Sequence, residues 1–140
     1  VVTSRVKAGI NEEGVRAGSD KSGSTTFAGD MAGGILNIGT KDGAGLFHYA
    51  NQGQGSWDEL AQAVFEEARA LGITLKLTEL RPILGLFYPT QAHRPVYSVL
   101  STAKYAALPN AKIPFWRESL KHYMKNCLKI EQGQVVSGLN

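Results

Sequence analysis

The clearest rhythm of apolar positions lies between Trp57 and Leu71. Trp57, Leu60, Ala61, Val64, Phe65, Ala68 and Leu71 recur at intervals of three and four, the period that gathers side chains on one face of an α-helix. Signals at both ends agree. Ser56-Trp57-Asp58-Glu59 spells a capping box, in which the Ser56 hydroxyl accepts from the Glu59 amide and the Glu59 carboxylate reaches back to the Ser56 amide. Gly72 supplies the exit. A second helical face is spelled by Trp116, Leu120, Tyr123, Met124, Cys127 and Leu128, with Pro114 at a favourable first-turn position. Arg117, Lys121, Lys125 and Lys129 step along its other side, the pattern of a solvated face rather than a binding patch. Phe27, Met31, Ile35 and Ile38 share a third face after Thr26, a usable N-cap, and Gly39 suits its exit. The Gly33-Gly34 pair weakens that helix by about 1 kcal/mol per exposed glycine.

Alternation by two is rarer. Ile73, Leu75 and Leu77 alternate with Thr74, Lys76 and Thr78, which predicts a half-buried strand. Leu46 to Ala50 reads as a short aromatic-rich strand, and Val1 to Val6 has the β-branched content of another. Gly9, Gly14, Gly18 and Gly23 favour loop in the stretch that follows. From Arg81 to Pro95 there is no clean period, but Leu84, Leu86, Phe87 and Tyr88 are too apolar for disorder; an ordered, functional loop is expected. A short helix is expected to open at Ser101, and the polar end from Ile130 to Asn140 to fray.

Length and composition narrow the classes. At 140 residues, 43% of them hydrophobic and 19% charged, one domain with a modest core is expected. No apolar run approaches the ~18 residues of a membrane span, and nothing resembles a signal peptide. The single cysteine, Cys127, rules out an internal disulfide and reads as a small buried hydrophobe. A soluble, cytoplasmic domain is the expectation, with no membrane partner. The net charge of +3 is scattered, so it predicts no nucleic-acid partner and equally suits an anionic small ligand. His48, His93 and His122 are too dispersed to predict a metal site, and none is expected. The chain opens Val1-Val2-Thr3 without an initiator methionine, as a processed protein or a piece of a longer one does.

Four blocks, in order, carry a resemblance. They are Gly23-Ser24-Thr25-Thr26 with Gly29-Asp30-Met31-Ala32; Gly45-Leu46-Phe47-His48-Tyr49 with Gly55-Ser56-Trp57 through Phe65-Glu66-Glu67-Ala68; Tyr88-Pro89-Thr90-Gln91-Ala92-His93-Arg94-Pro95 with Ser98-Val99-Leu100 and Lys104; and Ile113-Pro114-Phe115-Trp116-Arg117-Glu118-Ser119-Leu120. Together these resemble the C-terminal half of the dTDP-4-dehydrorhamnose reductases, which belong to the extended short-chain dehydrogenase/reductase superfamily. The resemblance runs from about Gly18 to Leu128. Gln91 and Thr25 stand where that family has proline, and Tyr97 where asparagine is common.

The resemblance implies an α/β fold: the C-terminal substrate-binding part of a Rossmann-like extended fold, without the dinucleotide-binding half. It implies a substrate-binding domain over residues 1–129, weakly matched over 1–17, and a flexible tail over 130–140. By the same resemblance a dTDP-sugar of the 4-dehydro-rhamnose type is the ligand, and Ser24, Thr25, Tyr88, Thr90, Arg94 and Ser98 lie nearest to it. Arg94 offers a guanidinium suited to a diphosphate, or to bridging loop carbonyls. Tyr88 could stack on a sugar or base, or pack the core. The hydroxyls of Ser24, Thr25, Thr90 and Ser98 could bond the ligand or cap turns. Trp57 and Trp116 are expected to anchor the core.

Catalytic residues are not expected in this chain. The family's chemistry uses a tyrosine with a lysine four positions on, but Tyr49, Tyr88, Tyr97, Tyr105 and Tyr123 are followed at that spacing by Gly53, Ala92, Ser101, Pro109 and Cys127. The glycine-rich turn that cradles a cofactor pyrophosphate is absent as well. The chain is therefore expected to bind no cofactor alone, NADPH or NADH belonging to the full-length enzymes, and to be inactive alone. Its expected partner is the missing Rossmann half or a second copy of itself. The alternative is a non-catalytic regulatory or binding module of the same fold, like the regulatory β subunit of methionine adenosyltransferase.

Overall fold

The helix predicted most sharply organises the structure. In the computed structural model, which describes residues 1–40, 44–87, 94–126, 128–131 and 134–137, α3 spans Trp57–Ala70 and carries both halves of the core. Its capping box forms as read: the Ser56 amide donates to Glu59 Oε2 at 2.8 Å and the Ser56 hydroxyl accepts from the Glu59 amide. It ends where Gly72 takes φ +77°, a left-handed turn that a side chain would strain. One side of α3, through Leu60, Ala63, Val64 and Ala68, packs with Val6, Trp116, Leu120 and Met124. Its other side, through Ala61 and Phe65, packs with Val15, Ala17 and Leu77. Trp116 anchors the core as expected, 4% exposed.

The partners of α3 are the helices α1 (Val2–Asn11) and α5 (Trp116–Asn126) and a parallel pair of strands, β1 (Gly14–Gly18) and β4 (Glu79–Ile83). A second, three-stranded sheet has β2 (Ser22–Gly23) at its centre, antiparallel to β3 (Gly55–Ser56) and parallel to β5 (Tyr97–Ser98). The helix α2 (Ala28–Gly39) follows β2, and the four-residue helix α4 (Ala103–Ala106) follows β5. At the end, β6 (Leu128–Glu131) and β7 (Gln134–Ser137) pair as a hairpin, which the polar composition of that stretch does not predict.

Several expectations are corrected. Val1 to Val6 is not a strand: it belongs to α1, where Val2, Val6, Gly9 and Ile10 turn one face to the core. Gly9 is what lets α1 approach α3, since a Cβ there would lie 2.7 Å from the Phe65 ring. Leu46 to Ala50 forms no strand, and neither does Ile73 to Thr78. In the latter the alternation is real, with Leu77 buried and Thr74 and Lys76 exposed, but its backbone is spent on the end of α1. The Leu77 amide donates to Gly9 O and the Thr78 amide to Glu13 O, and the ladder begins only at Glu79. The stretch expected as one loop from Arg81 therefore opens in β4, where Pro82 is tolerated because, among the described residues, only β1 pairs with this strand. A single 3-10 turn, Gly85–Phe87, follows it.

The face predicted for α2 is mostly outward: Met31 is 41% and Ile35 62% exposed. What α2 buries is Gly34, under the Tyr49 ring, and its N-cap is Phe27 rather than Thr26. Residue 101 does not cap α4 either; Thr102 holds that position without a side-chain bond. Trp57 is no core anchor, being 39% exposed. Arg117, Lys121 and Lys125 of α5 are exposed as read, with Arg117 paired to Glu66 at 3.2 Å, but the helix ends at Asn126, and Leu128 and Lys129, expected to continue it, fall in β6. Cys127 lies outside the described residues.

Candidate functional site

The small sheet β3-β2-β5 forms the floor of a cleft of about 520 Å³. Its walls are the Ser24–Thr26 stretch between β2 and α2, the start of α3, and the segment that enters β5 from Arg94. The close spacing of these walls depends on Gly23, since a Cβ there would lie 3.0 Å from the Ser98 hydroxyl. The first turn of α1 closes one end through Val1 and Val2.

Of the six residues expected near a ligand, Ser24, Thr25, Arg94 and Ser98 all line this cleft, although 70 positions separate the Ser24 loop from the Arg94 segment. Tyr88 and Thr90 lie outside the described residues, as does His93. Two hydroxyls already serve the walls. Ser98 Oγ donates to the Ser22 carbonyl at 3.3 Å, and Ser24 Oγ accepts from the Leu100 amide at 3.1 Å. Each keeps unused capacity: Ser24 can still donate and Ser98 can still accept. Turn-holding and ligand-bonding are therefore compatible in these two side chains.

Two lining residues were not singled out from the sequence. Lys21 stands one position before β2 and reaches the wall half-buried. Trp57 turns part of its indole to the cleft, because the first turn of α3 projects beyond the core that the rest of the helix covers. Among the described residues no carboxylate lines the cleft, and the charged side chains there, Lys21 and Arg94, are both cationic. The hydroxyl-bearing side chains of Ser22, Ser24, Thr25, Thr26 and Ser98 complete a surface suited to an anionic, oxygen-rich ligand.

Behind the wall lies a buried polar node centred on Asn51, 3% exposed. Asn51 Oδ1 accepts from the Phe27 amide at 2.7 Å, where the cleft wall turns into α2. Asn51 Nδ2 donates to Asp30 Oδ2 at 2.7 Å, to Ser119 Oγ at 3.0 Å and to the Pro114 carbonyl at 3.2 Å. The Ser119 hydroxyl in turn donates to Asp30 Oδ2. One side chain thus ties α2, the Asn51 loop and α5 together. Lys104 has a similar structural use, donating to the Leu46 carbonyl at 2.8 Å with its ammonium 4.3 Å from the centre of the Phe47 ring. Tyr49, edge-on to Tyr105, has its hydroxyl pushed up to about 12 by burial first, then by Asp30 and Tyr105.

The two helix starts beside the cleft, those of α2 and α3, do not offer the site of a nicotinamide dinucleotide. Its pyrophosphate needs a glycine turn at an open helix N-terminus. The connection from β2 to α2, residues 24–27, contains no glycine, and Asp30 places a negative charge in the first turn of α2. The N-terminus of α3 is closed by its own capping box. Among the described residues no group of three or more His, Cys, Asp or Glu side chains could hold a metal ion, and no helix is long and apolar enough to cross a membrane.

Comparison with known proteins places this geometry. A family model described as the RmlD substrate binding domain matches residues 2–129. The chain is 41% identical over 81 residues to the dTDP-4-dehydrorhamnose reductase of Salmonella typhimurium, covering 58% of this chain and 27% of that one. It is 32% identical over 114 residues to a probable dTDP-4,6-dihydroxy-2-methyloxan-3-one 4-ketoreductase of Streptomyces antibioticus, covering 81% of this chain and 37% of the other. The chain thus spans well under half the length of these relatives. Among solved structures, a dTDP-4-dehydrorhamnose reductase from Clostridium acetobutylicum superposes with a TM-score of 0.77 at 27% identity, over 89% of this chain and 42% of that one. One from Bacillus anthracis, solved in complex with NADP, gives the same TM-score and coverage at 24% identity.

Proposed function

The chain belongs to the RmlD substrate binding domain family, and from that premise we propose that it is the substrate-binding portion of an NADPH-dependent dTDP-4-dehydrorhamnose reductase. The domain is residues 1–129, and the bound molecule is a dTDP-sugar of the 4-dehydro-rhamnose type. The observation that carries this reading is the charge pattern of the cleft: among the described residues, two cations, five hydroxyls and no carboxylate around one floor. A nucleoside diphosphate sugar has the complementary parts. Its diphosphate suits the guanidinium of Arg94, its sugar hydroxyls suit the serine and threonine walls, and a flat ring can lie on the exposed part of Trp57.

On this reading the chain binds and orients but does not reduce. The dinucleotide, when bound to the full-length enzyme, supplies the hydride, and on this reading no step of that transfer falls to these residues. Their part is to hold the diphosphate and shield the sugar from water. The chain's other partner is then the remaining, dinucleotide-binding part of the enzyme.

Calorimetric titration of the 140-residue chain with dTDP tests the reading. Binding is expected, and Arg94→Ala should weaken it about tenfold, the worth of a partly exposed charge-assisted contact of about 1.4 kcal/mol. An unchanged affinity in that variant would remove Arg94 from the site. Tight binding of dTDP that persists while the chain fails to restore reduction to a cofactor-binding partner would favour the second reading, a binding module of the same fold.

A further inference from the structure

We propose that Lys21 is a second anion-binding residue of the cleft, acting opposite Arg94 on the diphosphate of the bound nucleotide; this rests on the cleft being a nucleotide-sugar site. Three observations converge on it. Lys21 lines the same cleft as Arg94, and among the described residues no carboxylate lines it with them. Among the described residues it takes part in no ion pair, although the Asp20 carboxylate borders the same Gly85 turn. Its backbone is also fixed on both sides. The Ser19 amide donates to the Ile83 carbonyl at 2.9 Å and the Ser22 amide to the Val96 carbonyl at 2.8 Å.

The side chain is steered as well. Asp20 Oδ1 accepts from the Gly85 amide at 2.8 Å, which holds the turn after β4 against this segment. The Lys21 stem lies along that turn: a Cβ on Gly85 would be 3.0 Å from Lys21 Cε and 3.1 Å from Nζ. A lysine on an open surface pays rotamer entropy to meet an anion. Here backbone pairing and the Gly85 turn have already restricted the stem, so less rotamer freedom is left to lose on binding. The chemistry it recognises is a diphosphate, for which two separated cations suit the charge better than one.

The test titrates the full chain with dTDP, thymidine and inorganic pyrophosphate, in the wild type and in Lys21→Gln and Lys21→Arg, with thermal melts to show that each variant folds. The wild type should prefer dTDP to thymidine by at least tenfold. Lys21→Gln should lose about tenfold toward dTDP and pyrophosphate and nothing toward thymidine, and Lys21→Arg should restore most of the loss. If a folded Lys21→Gln binds dTDP like the wild type, or thymidine binds as well as dTDP, the role of Lys21 is overturned while the cleft stays a candidate nucleotide site. If pyrophosphate binds through Lys21 but dTDP gains nothing over it, the anion site stands and the nucleotide reading falls. No binding of dTDP or pyrophosphate at all sinks both.

Discussion

Asn51 is a severe point at which to perturb this fold, and the size of the effect can be worked out bond by bond. Asn51→Ala deletes the contact to the Asp30 carboxylate, which as a bond to a charged group is worth about 2 kcal/mol. It strands the Phe27 amide, costing about 1 kcal/mol more. The contacts to Ser119 and Pro114 share the two hydrogens of one amide nitrogen with Asp30, so together they add about 1 kcal/mol. Water entering the vacated space offsets part of the total, leaving a loss of about 3 kcal/mol. For a chain of 140 residues, that is a fall of about 10 °C in Tm, or about 1.5 M in the urea midpoint with its slope unchanged. Ser119→Ala should be milder, and the double variant should lose less than the sum, since both residues serve Asp30. A midpoint shift under about 0.5 M, or strict additivity with Ser119→Ala, would show that the node is not a cooperative unit.

Neighbouring glycines of α2 should respond with opposite signs. Gly33→Ala meets nothing within 4 Å and should raise stability by up to about 1 kcal/mol, whereas Gly34→Ala puts a Cβ 2.8 Å from Tyr49 and should lower it; thermal melts of the two decide. Tyr49 itself makes stability depend on alkaline pH. Folded, its hydroxyl holds its proton up to about 12, against 10.0 ordinarily, so its contribution is whole below pH 10 and declines as the pH rises toward 12. Tyr49→Phe should flatten the denaturation midpoint across that window, and the ultraviolet absorbance of ionising tyrosines should lose its latest step.

What the sequence disclosed, and what it hid, follows from where the determining contacts lie. For α3 everything needed is local: the cap residues sit three positions apart and the apolar face repeats within the helix. By contrast, α1 is helical because Val6 and Gly9 meet α3 some fifty residues later, and β-branched content over six residues points the other way. The Ile73–Leu77 alternation recorded burial correctly but could not tell which backbone it would bond, since its acceptors are at the end of α1. The cleft divided in the same way. Ser24, Thr25, Arg94 and Ser98 were carried by recognisable motifs. Lys21 sits just ahead of a motif, and Trp57 was already explained as part of a helix face. Asn51 reads in one dimension as a loop residue, and only the convergence of α2 and α5 on it gives it partners.

The pairing of β1 with β4 joins positions 65 apart, Gly14 to Glu79, and this sets an order of events at the ribosome. At about 5–20 residues per second, β1 leaves the exit tunnel roughly 3 to 13 seconds before its partner. During that wait the edge that β4 will take is unclaimed, the circumstance in which chains bind one another wrongly. The composition of β1 answers the hazard. It is five residues long, with glycine at both ends, and Arg16 stands on its outward face between the small buried Val15 and Ala17. A strand so short, weak and charged makes a poor template for a stranger and a sufficient one for β4, which arrives with α3 already in place to cover it.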